Sequence, residues 1–280
     1  MNDINNSLIN IGNNKIVEKV YDDIISNPSK KVGETLGTII DISNTLLWPI
    51  KWANARTRIY FVNNLKKYEE KLSRINLEKI IEVPTEISMP ILERFTYVSN
   101  EEIGNAFVNL LTSASNIDTV QFAHPSFIQI IDRLSPDEAR IIKYFAQQRL
   151  NVVPYITLAK YQLEQVDQKN QPIQHINTSQ YVIISNKTDN LFSNIELNFK
   201  DNTGIYIDNL ISLGILKDID EYIYDNINDQ YEIIEKDLIT KYDNRFNDIP
   251  EHLKNSAKKL TKGMFELTDF GKLFVKSSII

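Results

Sequence analysis

The sequence predicts a mainly helical chain that closes with a helix, two strands and a last short helix. Two stretches carry this reading. Ile205–Leu216 is an apolar helix that stops at Gly214 and enters a strand. Lys259–Phe274 reads as a turn at Gly263, a strand through Met264, Phe265 and Leu267, and a helix capped by Thr268, with Phe270 and Phe274 one turn apart. Together they outline a winged-helix-like C-terminal half with a small β-hairpin, preceded by a helical N-terminal half.

Residues 1–13 are polar and predict a loose start. Ile16, Val17, Val20, Tyr21, Ile24 and Ile25 keep helical spacing up to Asn27-Pro28. A second helix is expected over Val32–Leu47, with Pro49 breaking it. A long basic helix should then span Lys51–Lys79, where eight Lys or Arg face three Glu, a local charge of +5. Pro90 is expected near the start of the next helix. Ser99-Asn-Glu-Glu102 has the form of a capping box and predicts a helix over Glu101–Ala114.

His124-Pro125-Ser126 opens another helix, with Phe127, Ile130, Ile131 and Leu134 as its apolar stripe. Ser135-Pro136-Asp-Glu138 is a second capping box, and Ile141, Ile142 and Phe145 behind it should face a core. Past Leu150 the pattern weakens, and only Tyr181–Ile184 reads as a strand. Residues 201–248 are acidic, twelve Asp or Glu against four Lys or Arg, a local charge of −8, with a helix near Tyr231–Phe246. These features suggest three parts: a loose start and first helix (1–30), a helical domain (31–134), and a winged-helix-like domain (135–280) with an acidic insert at about 217–250.

Composition narrows the function. The chain has 280 residues, is 42% hydrophobic and carries a net charge of −6, which does not suit a general polyanion binder. It has no cysteine, so disulfides and thiolate metal sites are excluded. The start, Met1–Ser7, has neither the basic nor the apolar stretch of a signal peptide, and no run of 18 apolar residues exists, so a cytoplasmic protein is expected. Of the three histidines, none has an Arg five residues before it, as an Arg-x-x-x-x-His nuclease would require. None has a partner at metal-ligand spacing either. Glu69-Glu70-Lys71 lies in a charged helical stretch and reads as a solvated face. Gly33 and Gly37 lack the Lys-Ser/Thr of a phosphate loop, and there is no Gly-x-Ser-x-Gly elbow. No catalytic residue, cofactor site or metal site is predicted.

Two surfaces remain. Trp48, Lys51, Trp52, Arg56 and Arg58 place tryptophans among cations, a pattern for a membrane interface or a protein partner as well as for core tryptophans beside a solvated basic face. Lys258, Lys259 and Lys262 precede the wing strand and are the candidate nucleic-acid contacts. The presumed reading helix at about 203–213 has no Lys or Arg, which favours packing or protein binding over DNA.

Glu101–Ala114, the block His124-Pro125-Ser126-Phe127 through Leu134-Ser135-Pro136, and the Leu-Thr-x-x-Gly-x-x-Phe ending at Phe274 together resemble the abortive infection alpha (Abi-alpha) family. The resemblance runs from about Gly33 to the C-terminus and is loosest over 150–200. It implies a bacterial phage-defence role and brings no catalytic residues. The expectation is a non-enzymatic defence protein that binds a protein partner, with peripheral membrane contact through the tryptophan segment. The alternatives are a DNA-binding regulator and a nuclease assembled from distant carboxylates. Nothing in the sequence sets an oligomeric state.

Overall fold

The computed structural model describes residues 37, 55–162, 181–189, 191–220, 227–247 and 256–280. The expected first helix, the expected second helix apart from Gly37, and Trp48, Lys51 and Trp52 lie outside these residues. The described chain is mainly helical with one antiparallel sheet. It comprises α1 (Ala55–Leu72), α2 (Thr85–Phe95), α3 (Glu101–Ala114), α4 (Ser126–Asp132), α5 (Pro136–Gln147), β1 (Val152–Gln162), β2 (Tyr181–Ser185), α6 (Thr203–Ser212), β3 (Leu216–Asp220), α7 (Asn228–Asn247), β4 (Ser256–Leu267) and α8 (Asp269–Phe274), followed by one π-helical turn, Val275–Ile279. It divides into two compact units, one of residues 1–143 with 272–280 and one of residues 144–271.

The first unit is a helical core. Leu65, Tyr68 and Leu72 of α1 are fully buried, as are Phe107, Leu110 and Leu111 of α3. Phe127 of α4 meets Phe274 edge-on at 5.3 Å. Two buried polar side chains bridge elements: Asn64 donates to the carbonyls of Phe95 (3.4 Å) and Val98 (3.3 Å), and the Tyr68 hydroxyl lies 2.7 Å from Ser115 Oγ. Arg94 forks onto Asp132 through Nε (3.2 Å) and Nη2 (2.8 Å). The π-helical turn packs on α3, where Asn109 donates to the Ser278 carbonyl at 3.1 Å.

Three expectations for this unit need correction. The basic helix ends at Leu72, not Lys79; the chain turns through Ser73–Asn76 into a short 3-10 turn capped by Asn76. Pro90 sits inside α2, which starts at Thr85 directly after Pro84. The cap of α3 is Asn100, whose Oδ1 accepts from Ile103 N at 3.2 Å, one residue later than the Ser99 box. Asn is as good a cap as Ser, so two adjacent candidates could not be separated by type. The Ser135 box forms as expected: Glu138 Oε2 accepts from Ser135 N at 2.6 Å, and Ser135 Oγ accepts from Glu138 N at 3.3 Å.

The second unit is built on a four-stranded antiparallel sheet in the order β2-β1-β4-β3. Its longest pairing joins β1 and β4 from Val152↔Glu266 to Gln162↔Ser256. The predicted turn at Gly263 is therefore overturned, because Gly263 lies mid-strand between Tyr155 of β1 and Asp220 of β3. Glycine is needed there for a different reason. A Cβ would meet the Tyr155 ring and hydroxyl at 2.5 Å. One face of the sheet packs against α7: Val152, Ile156, Leu158 and Met264 bury against Ile227, Tyr231, Leu238 and Tyr242. The acidic segment thus supplies a core helix: Asp229, Glu232 and Asp237 are exposed while Tyr231 and Leu238 are buried.

The junctions expected around Gly214 and Thr268 are present. Gly214 has φ +72°, and the bonds Ile215 N to Leu210 O (3.0 Å) and Gly214 N to Ile211 O (2.9 Å) close α6. Thr268 Oγ1 donates to Gly214 O at 2.5 Å and accepts from Gly271 N at 2.8 Å, so one hydroxyl caps α8 and fixes it to the end of α6.

Candidate functional site

Two features of the sheet unit stand out, and both involve β1. Side chains alternate faces along a strand, so Tyr155 points away from the α7 side that Ile156 occupies. Its ring lies over the bare backbone of Gly263 and reaches the next strand. There its hydroxyl donates toward Asp218 Oδ1 (2.6 Å) and Asp220 Oδ1, the i and i+2 aspartates of β3. Lys187, from the turn after β2, pairs with the other oxygen of Asp218 and stands 5.8 Å from the centre of the Tyr155 ring. Phe265 flanks the ring at 4.9 Å. Burial, and then the carboxylates it serves, hold the Tyr155 phenol well above its ordinary range, so it stays a neutral donor. The four groups form a polar clasp that joins β1, β3 and the turn after β2.

The second feature is a cavity beside the first half of β1, whose residues Val152, Val153, Tyr155 and Ile156 are buried. β2 pairs with β1 only from Leu158↔Ser185 to Tyr161↔Tyr181. Beyond Ser185 the chain turns away: Asp189 Oδ2 accepts from Asn186 N at 2.9 Å, and Asp189 N donates to Asn186 O at 3.1 Å. Val152–Thr157 therefore pairs with β4 on one side and, among the described residues, with no strand on the other. Pro154 lies in this stretch; a proline belongs on a strand where its missing N–H has no ladder to complete. A cavity of about 640 Å³ adjoins Val153–Ile156. Leu191 and Asn194 wall it on the loop side; Gln230, Ile233 and Asp237 of α7 wall it opposite. Ile233, on the cavity side of α7, is 62% exposed. Tyr144 closes the end; burial raises its phenol, so its hydroxyl also remains neutral.

The residues singled out from the sequence fall elsewhere. Arg56 is exposed in the first turn of α1, and Arg58 follows on the same helix. Lys258 and Lys259 lie on β4 opposite Lys160 and Ala159. Lys262 faces α7, 3.3 Å from Glu235 and over the Tyr231 ring at 5.6 Å. The block from His124 to Pro136 comes together as the starts of two helices. His124 Nδ1 accepts from Ser126 N at 3.1 Å and lies 2.7 Å from Ser126 Oγ, directly after which Phe127 is buried. Pro125 precedes α4, Leu134 is buried, and Pro136 begins α5 behind Ser135. Among the described residues no group of three or more His, Asp or Glu is arranged to hold a metal ion, and no helix is long and apolar enough to cross a membrane.

Tyr155, Lys187, Asp218 and Asp220 were not foreseen. Their one sequence signal was the Asp-x-Asp of a short strand; the tyrosine and lysine are brought to it only by the sheet order. The wider likeness of the chain now decides its kinship. The abortive infection alpha family model matches residues 60–278. The chain belongs to the abortive infection alpha family. The match covers both units and takes in the clasp, the cavity and the His124–Pro136 block. No curated protein and no solved structure matches the chain.

Proposed function

We propose that this member of the abortive infection alpha family is a non-enzymatic, cytoplasmic phage-defence protein that acts by binding a protein partner through its sheet unit. The cavity beside β1 carries the reading. Its lining mixes apolar side chains, Val153, Ile156, Leu191, Ile233, Ile234 and Leu238, with the polar Asp189, Asn194, Gln230, Asp237 and Lys241, a make-up that suits contact with a protein. The order α6, β3, α7, β4, α8 puts a helix between the two strands, so they do not form the small β-hairpin expected; the pairing of β3 with β4 and the joint of α6 to α8 support a winged-helix-like unit with α7 inserted, and the surface of α6 favours protein over DNA. Its exposed positions are Ile205, Asp208 and Ser212, none of them a cation for phosphate. Lys262 is turned toward Glu235 and α7.

Recovery of the tagged chain from phage-challenged cells tests the proposal. A partner that co-purifies at a fixed ratio and is lost when Ile233→Glu blocks the cavity is the expected result; recovery of the chain alone would refute it. A duplex shift at low salt that vanishes on neutralising Lys258, Lys259 and Lys262 would move the function to DNA. Peripheral membrane contact through Trp48, Lys51, Trp52, Arg56 and Arg58 is a separate part of the proposal. Co-sedimentation with anionic vesicles, lost when both tryptophans become Ala, supports it; no sedimentation removes it.

A further inference from the structure

We infer that the exposed face of α1 in one copy of this chain docks on the exposed face of α6 in another, so that copies associate head to tail. The surfaces are separate from the cavity beside β1, and the inference does not depend on the partner-binding reading. Each face is a stripe at helical spacing. On α1, Phe61, Leu65, Tyr68 and Leu72 are buried, and the opposite side presents Arg56, Ile59, Asn63 and Lys66 to solvent. On α6, Tyr206, Ile207 and Leu210 are buried. Its outer stripe is Asp201, in the turn before the helix, then Ile205, Asp208 and Ser212. Each stripe holds one large apolar side chain between charges of one sign. Ile59, 55% exposed, lies between Arg56 and Lys66; Ile205, 65% exposed, lies between Asp201 and Asp208.

This complementarity sets both the occupant and the register. With Ile59 laid on Ile205 and the helices antiparallel, Arg56 and Asp208 meet, each three residues from the central contact. Asn63 and Asp201 meet on the other side, each four residues away, and Lys66 follows one turn on, within reach of Asp201 on its four-carbon stem. Glu70, a further turn along α1, falls beyond the start of α6 in this register. The parallel arrangement sets Arg56 opposite Asn202 and Lys66 opposite Ser212, and forms no ion pair. Two copies of the α6 stripe would set acid against acid, and two of the α1 stripe cation against cation, so neither stripe suits itself. The contact is therefore heterologous, and growth stops only where a ring closes. Exposed ion pairs are weak and screened, so the association is weak and strongest at low ionic strength.

Sedimentation of the full chain over a concentration series is the test. Mass should rise with concentration at low salt and fall as salt is added. Lys66→Glu and Ile205→Glu should each weaken association about ten-fold or more. Ile233→Glu, in the cavity, should leave it unchanged. Mixing Lys66→Glu with Ile205→Glu should restore a contact, because the first keeps its α6 face and the second its α1 face; the mixture should stop at dimers. The chain has no cysteine, so Ile59→Cys and Ile205→Cys each introduce a single thiol. Under mild oxidation, these two variants mixed should give far more disulfide-linked dimer than either alone. A chain that stays monomeric up to roughly 1 mM at low salt, with no cross-link on mixing, would overturn the inference. So would self-association that survives both Lys66→Glu and Ile205→Glu, or that Ile233→Glu abolishes. A disulfide closed within one chain carrying both cysteines would also overturn it, since each face would then be covered by its own chain.

Discussion

The helical unit and the sheet unit are held together in different ways. In the helical unit three helix starts are settled by neighbours a few residues away: Asn100 for α3, His124 and Ser126 for α4, Ser135 with Glu138 for α5. In the sheet unit the decisive contacts join residues far apart in the chain, such as Tyr155 with Asp218, Gly263 with Tyr155, and Thr268 with Gly214. Local signals make a robust core that tolerates single changes at its caps. Long-range contacts make a unit in which one small residue can decide whether two elements meet, and the unit built that way carries the cavity.

The largest expected effects therefore sit at two glycines of the sheet unit. A Cβ on Gly271 would lie 2.2 Å from the Ile215 carbonyl oxygen. Backbone cannot swing aside as a side chain can, so Gly271→Ala should destabilise the unit by about 3 kcal/mol or more, read as a lowered urea midpoint by circular dichroism. Gly263→Ala should cost about 2 kcal/mol by driving the Tyr155 ring off β4. The combination Tyr155→Ala with Gly263→Ala sharpens this. If the ring is the obstacle, the second change should cost much less in that background than alone; strict additivity would show that Gly263 serves something else.

Legibility in the sequence follows the same division. The Ser135 box, the stripe of α4 and the helices at Glu101–Ala114 and near Tyr231–Phe246 were readable because capping and 3.6-residue periodicity are written in consecutive residues. β1 was not. Val152–Gln162 mixes β-branched residues with Pro154 and polar spacers, and its burial comes from α7, more than sixty residues later. Gly263 was misread for a related reason: a glycine before an apolar run resembles a turn unless the ring that needs its missing Cβ is known. The clasp is the extreme case, since Lys187, Asp218 and Asp220 meet Tyr155 only once the strand order exists. The family likeness was legible in three runs of consecutive residues, Glu101–Ala114, His124–Pro136 and the ending at Phe274, each of them locally encoded.

Smaller effects test the polar groups. Tyr155→Phe removes the donor shared by Asp218 and Asp220 and should cost about 1–3 kcal/mol, with Asp218 and Lys187 left paired. Tyr231 gives a pH signature. Its hydroxyl donates to the Gly263 carbonyl at 2.9 Å, and burial pushes its phenol up to about 12. A raised acid binds its proton more tightly folded than unfolded. Its contribution is therefore complete below pH 10 and is lost as pH climbs from about 10 through 12. Tyr231→Phe should lower stability at neutral pH by about 1 kcal/mol and flatten that alkaline slope. An unchanged slope would place the alkaline loss in other buried tyrosines.

The smallest effect belongs to the helical unit. Ser135→Ala removes the acceptor for Glu138 N but leaves Glu138 Oε2 holding Ser135 N at 2.6 Å. Half of the reciprocal box survives, so the cost should be about 1 kcal/mol. Glu138→Gln keeps the geometry while weakening the shorter bond from charged to neutral, and should cost no more. Both losses should appear as faster hydrogen exchange in the first turn of α5 and nowhere in β1 or β4, because a cap acts on the turn it closes. If Ser135→Ala instead speeds exchange along the β1–β4 ladder, the helix start and the sheet are energetically coupled. The division into a locally held unit and one held at long range would then fail.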